Sequence, residues 1–390
     1  MINHVIVVHL HELTLKKKNR SWFEKILLRN IKIHLSKLDY INIQFIAGRI
    51  IITGIDNNKI NEYREALSSV IGIRNYIIAK QTNLDIEQIK KTALSLINKL
   101  DSKKSFRITA RRQNKNFIHN SQEINIIIGE YIIKNSSMYV NLNSPDYNII
   151  IEIVNDSAYL GCNKVPAFGG LPVGSGENAL SLISSGIDSP VASFNILKRG
   201  VKLDYIHFHS SPATNRQSVY NVERIVKVLC KYQLDCTLYL FPLLEIQNKI
   251  MELVDSKFWI IMFRRAMMKI SSSIAKENNY KVLVTGDNIG QVASQTLSNI
   301  VAIQESTNIP IIRPLSGFNK EDIVNQAVDI GTYDISIEPY EDCCSYFLPP
   351  NPETKANLKR INIIENKINL NTIVDNQLNN MERKKISYYE

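Results

Sequence analysis

Apolar and polar positions set out a first part in which strands and helices are mixed, then a longer region of regular alternation. Residues 4–10 (HVIVVHL) read as a strand, 20–38 as a helix, and 42–46 and 49–53 as two short strands. A short helix over 61–69 and a strand over 72–80 follow. Residues 85–100 carry Ile86, Ile89, Leu94, Leu96 and Ile97 at helical spacing. SFRITARRQNKNF, residues 105–117, alternates as a strand and then runs into a polar, basic loop. The pattern predicts a helix over 121–133 and strands over 138–141 and 147–154.

FGGLPVGSG, residues 168–176, packs four glycines and a proline into nine positions and reads as a linker. Beyond it the pattern predicts strands over 179–183, 204–209, 236–241 and 281–286. Helices are expected between them, over 190–199, 218–232 and 244–276. Such alternation implies a parallel sheet covered by helices on both faces. The tail after Lys359 is polar and reads as helical or loosely ordered.

Charge divides the chain along the same line. Residues 1–120 hold 22 Lys and Arg against 9 Asp and Glu, whereas 121–390 hold 25 against 28. The whole excess behind the net +10 lies in the first third, as expected of a polyanion-binding module joined to a nearly neutral one. No apolar run approaches the roughly 18–20 residues of a membrane span. The N-terminus is apolar first and basic afterwards, the reverse of a signal peptide. Five cysteines (Cys162, Cys230, Cys236, Cys343, Cys344) form no CxxC and no zinc spacing, which points to the reducing cytoplasm.

The candidate chemistry begins at SLISSGIDSPVAS, residues 181–193. Small residues between a strand and a helix expose successive backbone N–H groups at a positive helix end, a combination that binds phosphate. Asp188 would repel a bare phosphate but suits one carried with Mg2+. A helix start capped by Ser or Asp, with Pro190 in the first turn, is the competing reading. In the basic third, Lys103, Lys104, Arg107, Arg111, Arg112 and Lys115 stand against a single acid, Asp101, over 101–120. Cations at that density fit RNA phosphates, with Arg111-Arg112 as a bidentate clamp; a solvated sheet edge guarded by lysines is the alternative.

SSGIDSPVA resembles the SGGxDS motif of PP-loop ATP pyrophosphatases, which split ATP into AMP and pyrophosphate. Five segments, in order from about residue 5 to about 360, resemble ThiI-type tRNA 4-thiouridine synthetases. They are HELTLKKKNRSWFEKIL; SFRITARRQNKNFIHNSQEINIIIGEYI with VNLNSPDYNIIIEI; LPVGSGENALSLISSGIDSPVASFNILKRG; VTGDNIGQVASQTLSNIVAIQESTNIPIIRPL; and NKEDIVNQAVDIGTYDISIEPYEDCCSYFLPPNPETK. The resemblance implies an α/β chain with a ferredoxin-like module (1–75) and a THUMP module (76–167), both α+β. A linker (168–177) and a doubly wound parallel-sheet PP-loop domain (178–390) complete it. It implies ATP and Mg2+ as cofactors, and tRNA as the partner held by the THUMP cations, with Lys16, Lys17, Lys18 and Arg20 adding to that face.

By the same resemblance Ile183, Ser184, Ser185, Gly186 and Ser189 hold the pyrophosphate end of ATP, with Asp188 on the metal. His209, Ser210, Arg264, Gly286 and Gln295 line the AMP side. Asp287 stands where the family most often has Glu and is left unassigned. Lys320 assists activation of the target uridine, position 8 of tRNA, and Cys343, with Cys344 as fallback, carries the sulfur. The chemistry needs an adenylated uracil oxygen as leaving group and a persulfide or sulfide as nucleophile.

Ser185 replaces a loop glycine, which costs about 1 kcal/mol or more if that position needs positive φ. The residues after about 360 are too few for the rhodanese domain of many family members. A separate sulfur donor, a cysteine desulfurase or sulfide, is therefore expected, and a homodimer is in keeping with the family. Competing readings are a tRNA-binding THUMP protein with a degenerate nucleotide site, or a PP-loop enzyme of another type such as an amide-forming synthetase.

Overall fold

A computed structural model describes residues 3–12, 19–98, 100–341 and 347–389. The chain divides into two compact units, Met1–Pro172 and Val173–Glu390. In chain order the first unit contains β1 (Asn3–Leu10), α1 (Arg20–His34), β2 (Asn42–Ile46), β3 (Arg49–Thr53), α2 (Ile60–Ser68) and β4 (Ile73–Asn83). It continues with α3 (Ile86–Ile97), β5 (Ser105–Arg112), α4 (Ser121–Asn135), β6 (Tyr139–Val140), β7 (Tyr147–Val154), β8 (Ser157–Cys162) and β9 (Val165–Pro166). Among the described residues these strands form one nine-stranded sheet, ordered β2-β3-β1-β4-β8-β7-β5-β6, with β9 on β4.

The long strand β4 joins the two halves. It pairs with β1 from Asn3↔Gln81 to Leu10↔Ile73, and with β8 from Ala79↔Gly161 to Asn83↔Ser157. The expected boundary at residue 75 therefore falls inside a shared strand. Strand β1 is apolar without a break from Val5 to Val8 because both of its faces are covered there. Ile6, Val8 and Leu10 pack with Phe23, Leu27 and Ile31, which recur every fourth residue along α1. Val5 and Val7 join Ile51, Ile77, Ile150 and Tyr159 on the opposite face.

That opposite face coils on itself. Glu152 of β7 accepts hydrogen bonds from His9 Nε2 of β1 at 2.7 Å and Arg49 Nε of β3 at 2.5 Å. Strands β3 and β7 stand four steps apart in the sheet order; in a flat sheet four steps would span about 19 Å. Only a strongly coiled sheet lets these side chains meet. Burial alone would raise the Glu152 carboxyl, but His9 and Arg49 outweigh it and hold the group at about 2.

The second unit carries β10 (Asn178–Leu182), α5 (Asp188–Leu197), β11 (Lys202–His209), α6 (Gln217–Gln233), β12 (Asp235–Pro242), α7 (Leu244–Leu253) and α8 (Trp259–Glu277). After these come β13 (Leu283–Val284), α9 (Leu297–Gln304), β14 (Ile311–Ile312), α10 (Lys320–Ile330), α11 (Tyr333–Ser336), α12 (Leu358–Ile368), α13 (Leu370–Asp375) and β15 (Glu382–Ser387). The sheet order is β14-β13-β10-β11-β12-β15, parallel except for β15, which runs antiparallel to β12. The expected helix over 244–276 breaks in two. Val254 is extended, and Asp255 accepts from the Lys257 N–H to start a tight turn before α8. The polar tail, expected to be helical or loose, instead supplies an edge strand beside two helices.

Buried Arg265 of α8 pins that tail: it donates to Glu365 of α12, to Glu305 at 2.9 Å and to Asn362 at 3.1 Å.

In the first unit the depressed Glu152 carboxyl makes stability pH-dependent. Its charged form contributes roughly 3 kcal/mol, present in full above pH 4.5 and lost as pH falls toward 2. Urea unfolding of wild type and Glu152→Gln should therefore show a stability gap at neutral pH that closes below pH 4.5. A gap that stays constant on acidification would contradict this.

Candidate active site

Strand β10 is buried on both faces and delivers its last residues to the carboxyl edge of the parallel sheet. From there the chain leaves β10 toward β11 on one side, and β13 leads to β14 on the other. Loops that depart in opposite directions leave a crevice between β10 and β13, where ligands gather in such sheets. The turn 184–187 sits at its mouth. Ser189 Oγ ties the turn to the first turn of α5: it accepts from the Ser184 N–H at 2.8 Å and lies 3.2 Å from the Ser184 carbonyl.

No side chain caps the first N–H groups of α5. Asp188, a natural cap by residue type, instead takes Lys320 Nζ at 2.5 Å and Gln291 Nε2 at 2.9 Å on its two carboxylate oxygens. The helix end therefore stays open to an anion. Ser185 does not adopt positive φ, so the strain expected of a serine here is absent. Its hydroxyl is buried and has no hydrogen-bond partner among the described residues.

Gly286, after β13, has a different constraint. A Cβ there would lie 2.7 Å from the Ser189 nitrogen and 2.8 Å from its Cα. Only glycine lets the two loops meet across the crevice.

Behind this contact lies a cavity of about 250 Å³, with Ile183, Ser184 and Asp188 on one wall and Gly286 and Gln295 on the other. His207 and Phe208 of β11 and Arg264 of α8 also line it. Gln295 Oε1 is buried and unpartnered, a second polar atom waiting for a ligand. Asp287, nearly fully buried, accepts from Arg264, from Thr285 Oγ1 at 2.7 Å and from Arg313 Nε at 3.3 Å. Burial would raise its carboxyl, but Arg264, Thr285 and Arg313 together hold it below the ordinary range. With two guanidinium groups on one carboxylate, this cluster keeps a net positive charge facing the cavity.

Several expected residues lie elsewhere. The cavity is lined by His207 and Phe208, whereas His209 and Ser210 are not among its lining residues. Ser210 Oγ donates to Gln247 at 2.5 Å, while burial, then nearby Arg216, lowers the His209 pKa. His207 Nδ1 lies 3.0 Å from the Ile183 carbonyl, which ties β11 to the start of the loop. Asp287 and Arg313 were not foreseen as site residues; a buried acid next to a loop glycine was the available signal. Cys343 and Cys344 lie outside the described residues, as do Lys16, Lys17 and Lys18.

In the first unit Lys103, Lys104, Arg111 and Lys115 are exposed. Arg107 donates to the Leu142 carbonyl at 2.9 Å. Arg112, expected in the phosphate clamp, binds the protein through its Nη1. Its guanidinium donates to the carbonyls of Phe117 at 2.8 Å, Lys115 at 3.3 Å and His119 at 3.4 Å, and so holds the loop.

An open parallel sheet with an uncapped helix end and an arginine-lined cavity at its switch point defines a nucleotide-handling α/β domain. Comparison with known families makes this more specific. Residues 174–370 match the model of the thiamine biosynthesis protein ThiI, residues 83–163 the THUMP domain, and residues 5–76 the ThiI ferredoxin-like domain. A probable tRNA sulfurtransferase of Caldanaerobacter subterraneus subsp. tengcongensis is 38% identical over 373 residues, 95% of this chain and 97% of that protein.

Among solved structures, a 4-thiouridine synthetase in complex with RNA and bound ATP superposes with a TM-score of 0.88 at 34% identity. That match covers 99% of this chain and 100% of the other. PH1313 from Pyrococcus horikoshii Ot3 matches with a TM-score of 0.63 at 25% identity, over 85% of this chain and 100% of its own. The chain belongs to the ThiI family of tRNA sulfurtransferases.

The Gly286 contact is testable without a ligand. Gly286→Ala should cost 1–3 kcal/mol by overpacking and lower the thermal midpoint. Gly317→Ala, whose Cβ would meet nothing within 4 Å, should leave it unchanged.

Proposed function

We propose that this enzyme replaces the C4 oxygen of a tRNA uridine, at position 8, with sulfur, using ATP, to give 4-thiouridine. The observation that carries this reading is the cavity at the β10–β13 crevice, with the open helix end of α5 beside it and Arg264 and the buried, unpartnered Gln295 Oε1 in its lining. Its likeness along nearly the whole chain to a synthetase bound to RNA and ATP supports the same conclusion.

In the first step the uracil O4 attacks the α-phosphorus of ATP and pyrophosphate leaves. The first N–H groups of α5, with Ser184, Ser185 and Ser189, receive the leaving pyrophosphate. Arg264, held in place by Asp287, faces the charge that develops on the α-phosphate, and Gln295 and Phe208 border the nucleoside. Asp188 is the carboxylate that would hold Mg2+ against phosphate oxygens. A single carboxylate suits that ion, which usually takes one or two plus substrate phosphates. Lys320, 2.5 Å from Asp188, supplies a cation for the negative charge on the phosphate oxygens as the uracil oxygen attacks and the uracil N3 proton is lost to solvent.

In the second step a sulfur nucleophile adds at C4 and AMP departs with the former O4. We assign the sulfur either to a persulfide on Cys343, with Cys344 as fallback, loaded by a cysteine desulfurase, or to free sulfide that adds at C4 directly. In the persulfide route a second thiol takes the inner sulfur into a disulfide as the outer sulfur stays on C4, and a thiol reductant then restores both cysteines. The exposed cations of the first unit hold the tRNA, and their phosphate contacts should make binding strongly salt-dependent.

With unmodified tRNA, Mg-ATP and sulfide, wild type should release AMP and form 4-thiouridine. Asp188→Ala and Lys320→Met should each lower turnover at least about a hundredfold while tRNA affinity is retained. Full turnover in Asp188→Ala would sink the assignment. A Cys343→Ser variant active with sulfide but not with a desulfurase would confine that cysteine to sulfur delivery.

A further inference from the structure

A second polar cluster, in the first unit, surrounds Glu152. This side chain is completely buried, yet it belongs to no catalytic step. Its oxygens bind His9 and Arg49, and His9 Nδ1 reaches Asn75 Oδ1 at 2.8 Å. Arg111 of β5 is the direct cross-strand neighbour of Glu152 in the β5–β7 register, so both project from the same face. Four strands thus bring polar groups to one end of the coiled face: Arg49 from β3, His9 from β1, Asn75 from β4 and Glu152 from β7. Arg111 from β5 stands beside them.

The charges there do not balance. The side chains of Arg74, Arg111 and Lys164 make no hydrogen bond or ion pair among the described residues, and Arg74 and Arg111 are exposed. Lys164 is partly buried, and burial, followed by the repulsion of Arg111, Arg74 and Arg49, lowers its pKa despite Glu152. Those cations therefore lie within one another's field. Gathering four cations around one carboxylate works against folding. A latch between strands would need one cation and not four.

We propose that Glu152 is a positioning residue for RNA: it fixes Arg49 beside Arg111 so that Arg49, Arg74, Arg111 and Lys164 form one phosphate-binding tract. The tract draws on both halves of the nine-stranded sheet, and it rests on the reading that the substrate is tRNA. Arg112, the next residue along β5, projects from the opposite face, and its Nη1 holds loop carbonyls.

Charge and position predict opposite effects of removing Glu152. Removing a carboxylate from a cationic surface should strengthen RNA binding if Glu152 only contributes charge. It should weaken binding if Glu152 holds the cations in register. The experiment measures binding of unmodified tRNA to the full chain over a salt series. It compares wild type, Glu152→Gln, Glu152→Asp, Arg111→Gln and Lys164→Gln, with circular dichroism and ATP binding as controls for the fold.

Arg111→Gln and Lys164→Gln should each reduce the salt slope by about one. Both Glu152 variants should weaken binding on the order of tenfold and flatten the slope by one or more, although neither removes a cation. Glu152→Asp keeps the charge, so it tests position alone even if Glu152→Gln folds poorly. Unchanged or tighter binding with the wild-type slope in a folded Glu152→Asp would overturn the inference. Failure of wild type itself to bind tRNA would instead overturn the tRNA reading beneath it.

Discussion

Desolvating a carboxylate costs several kcal/mol unless cations and donors replace the lost water, and Asp287 sits where that cost shapes the site. Its carboxylate joins α8 through Arg264, the segment after β14 through Arg313, and the end of β13 through Thr285. Remove it and Arg264 and Arg313 lose the carboxylate to which both donate. With it present, one cation faces the cavity from a fixed position and the other supports it. The Gly286 contact is set by the same loop, since the residue before Asp287 must pass under the start of α5. The position of Arg264 in the cavity lining depends on this one buried ion cluster.

The sequence pattern was informative wherever one period repeated over a whole element. The alternation after residue 178 specified a parallel sheet, and the small residues at 184–189 were placed at its carboxyl edge. It was less informative where tertiary contacts decide. His207 and His209 are two apart on one strand and share a face, so periodicity cannot separate them. What separates them is depth: Leu182 pairs with Ile206, so His207 ends level with the start of the loop, and His209 lies beyond it. The density of basic residues at 103–115 pointed to phosphates, but irregular loops also need donors for their carbonyls. Arg112 meets that need, and nothing in composition distinguishes it from Arg111 beside it.

Module boundaries show the same limit. A strand of eleven residues, β4, carries both an edge for β1 and an edge for β8. Hydrophobicity gives no sign of which partner a strand will take. Ser185 illustrates the reverse case: a substitution that looks costly from the motif is relaxed in the fold, because the turn closes through Ser189 and not through a left-handed backbone.

The central claim is that ATP activates the uracil oxygen itself, so the oxygen that leaves must leave with AMP. The direct measurement uses tRNA carrying oxygen-18 at O4 of the target uridine, with Mg-ATP and sulfide, followed by mass analysis of AMP and pyrophosphate. The account predicts one labelled oxygen in the AMP phosphate for each 4-thiouridine formed, and none in pyrophosphate. Label appearing in pyrophosphate or in water, with unlabelled AMP, would contradict it.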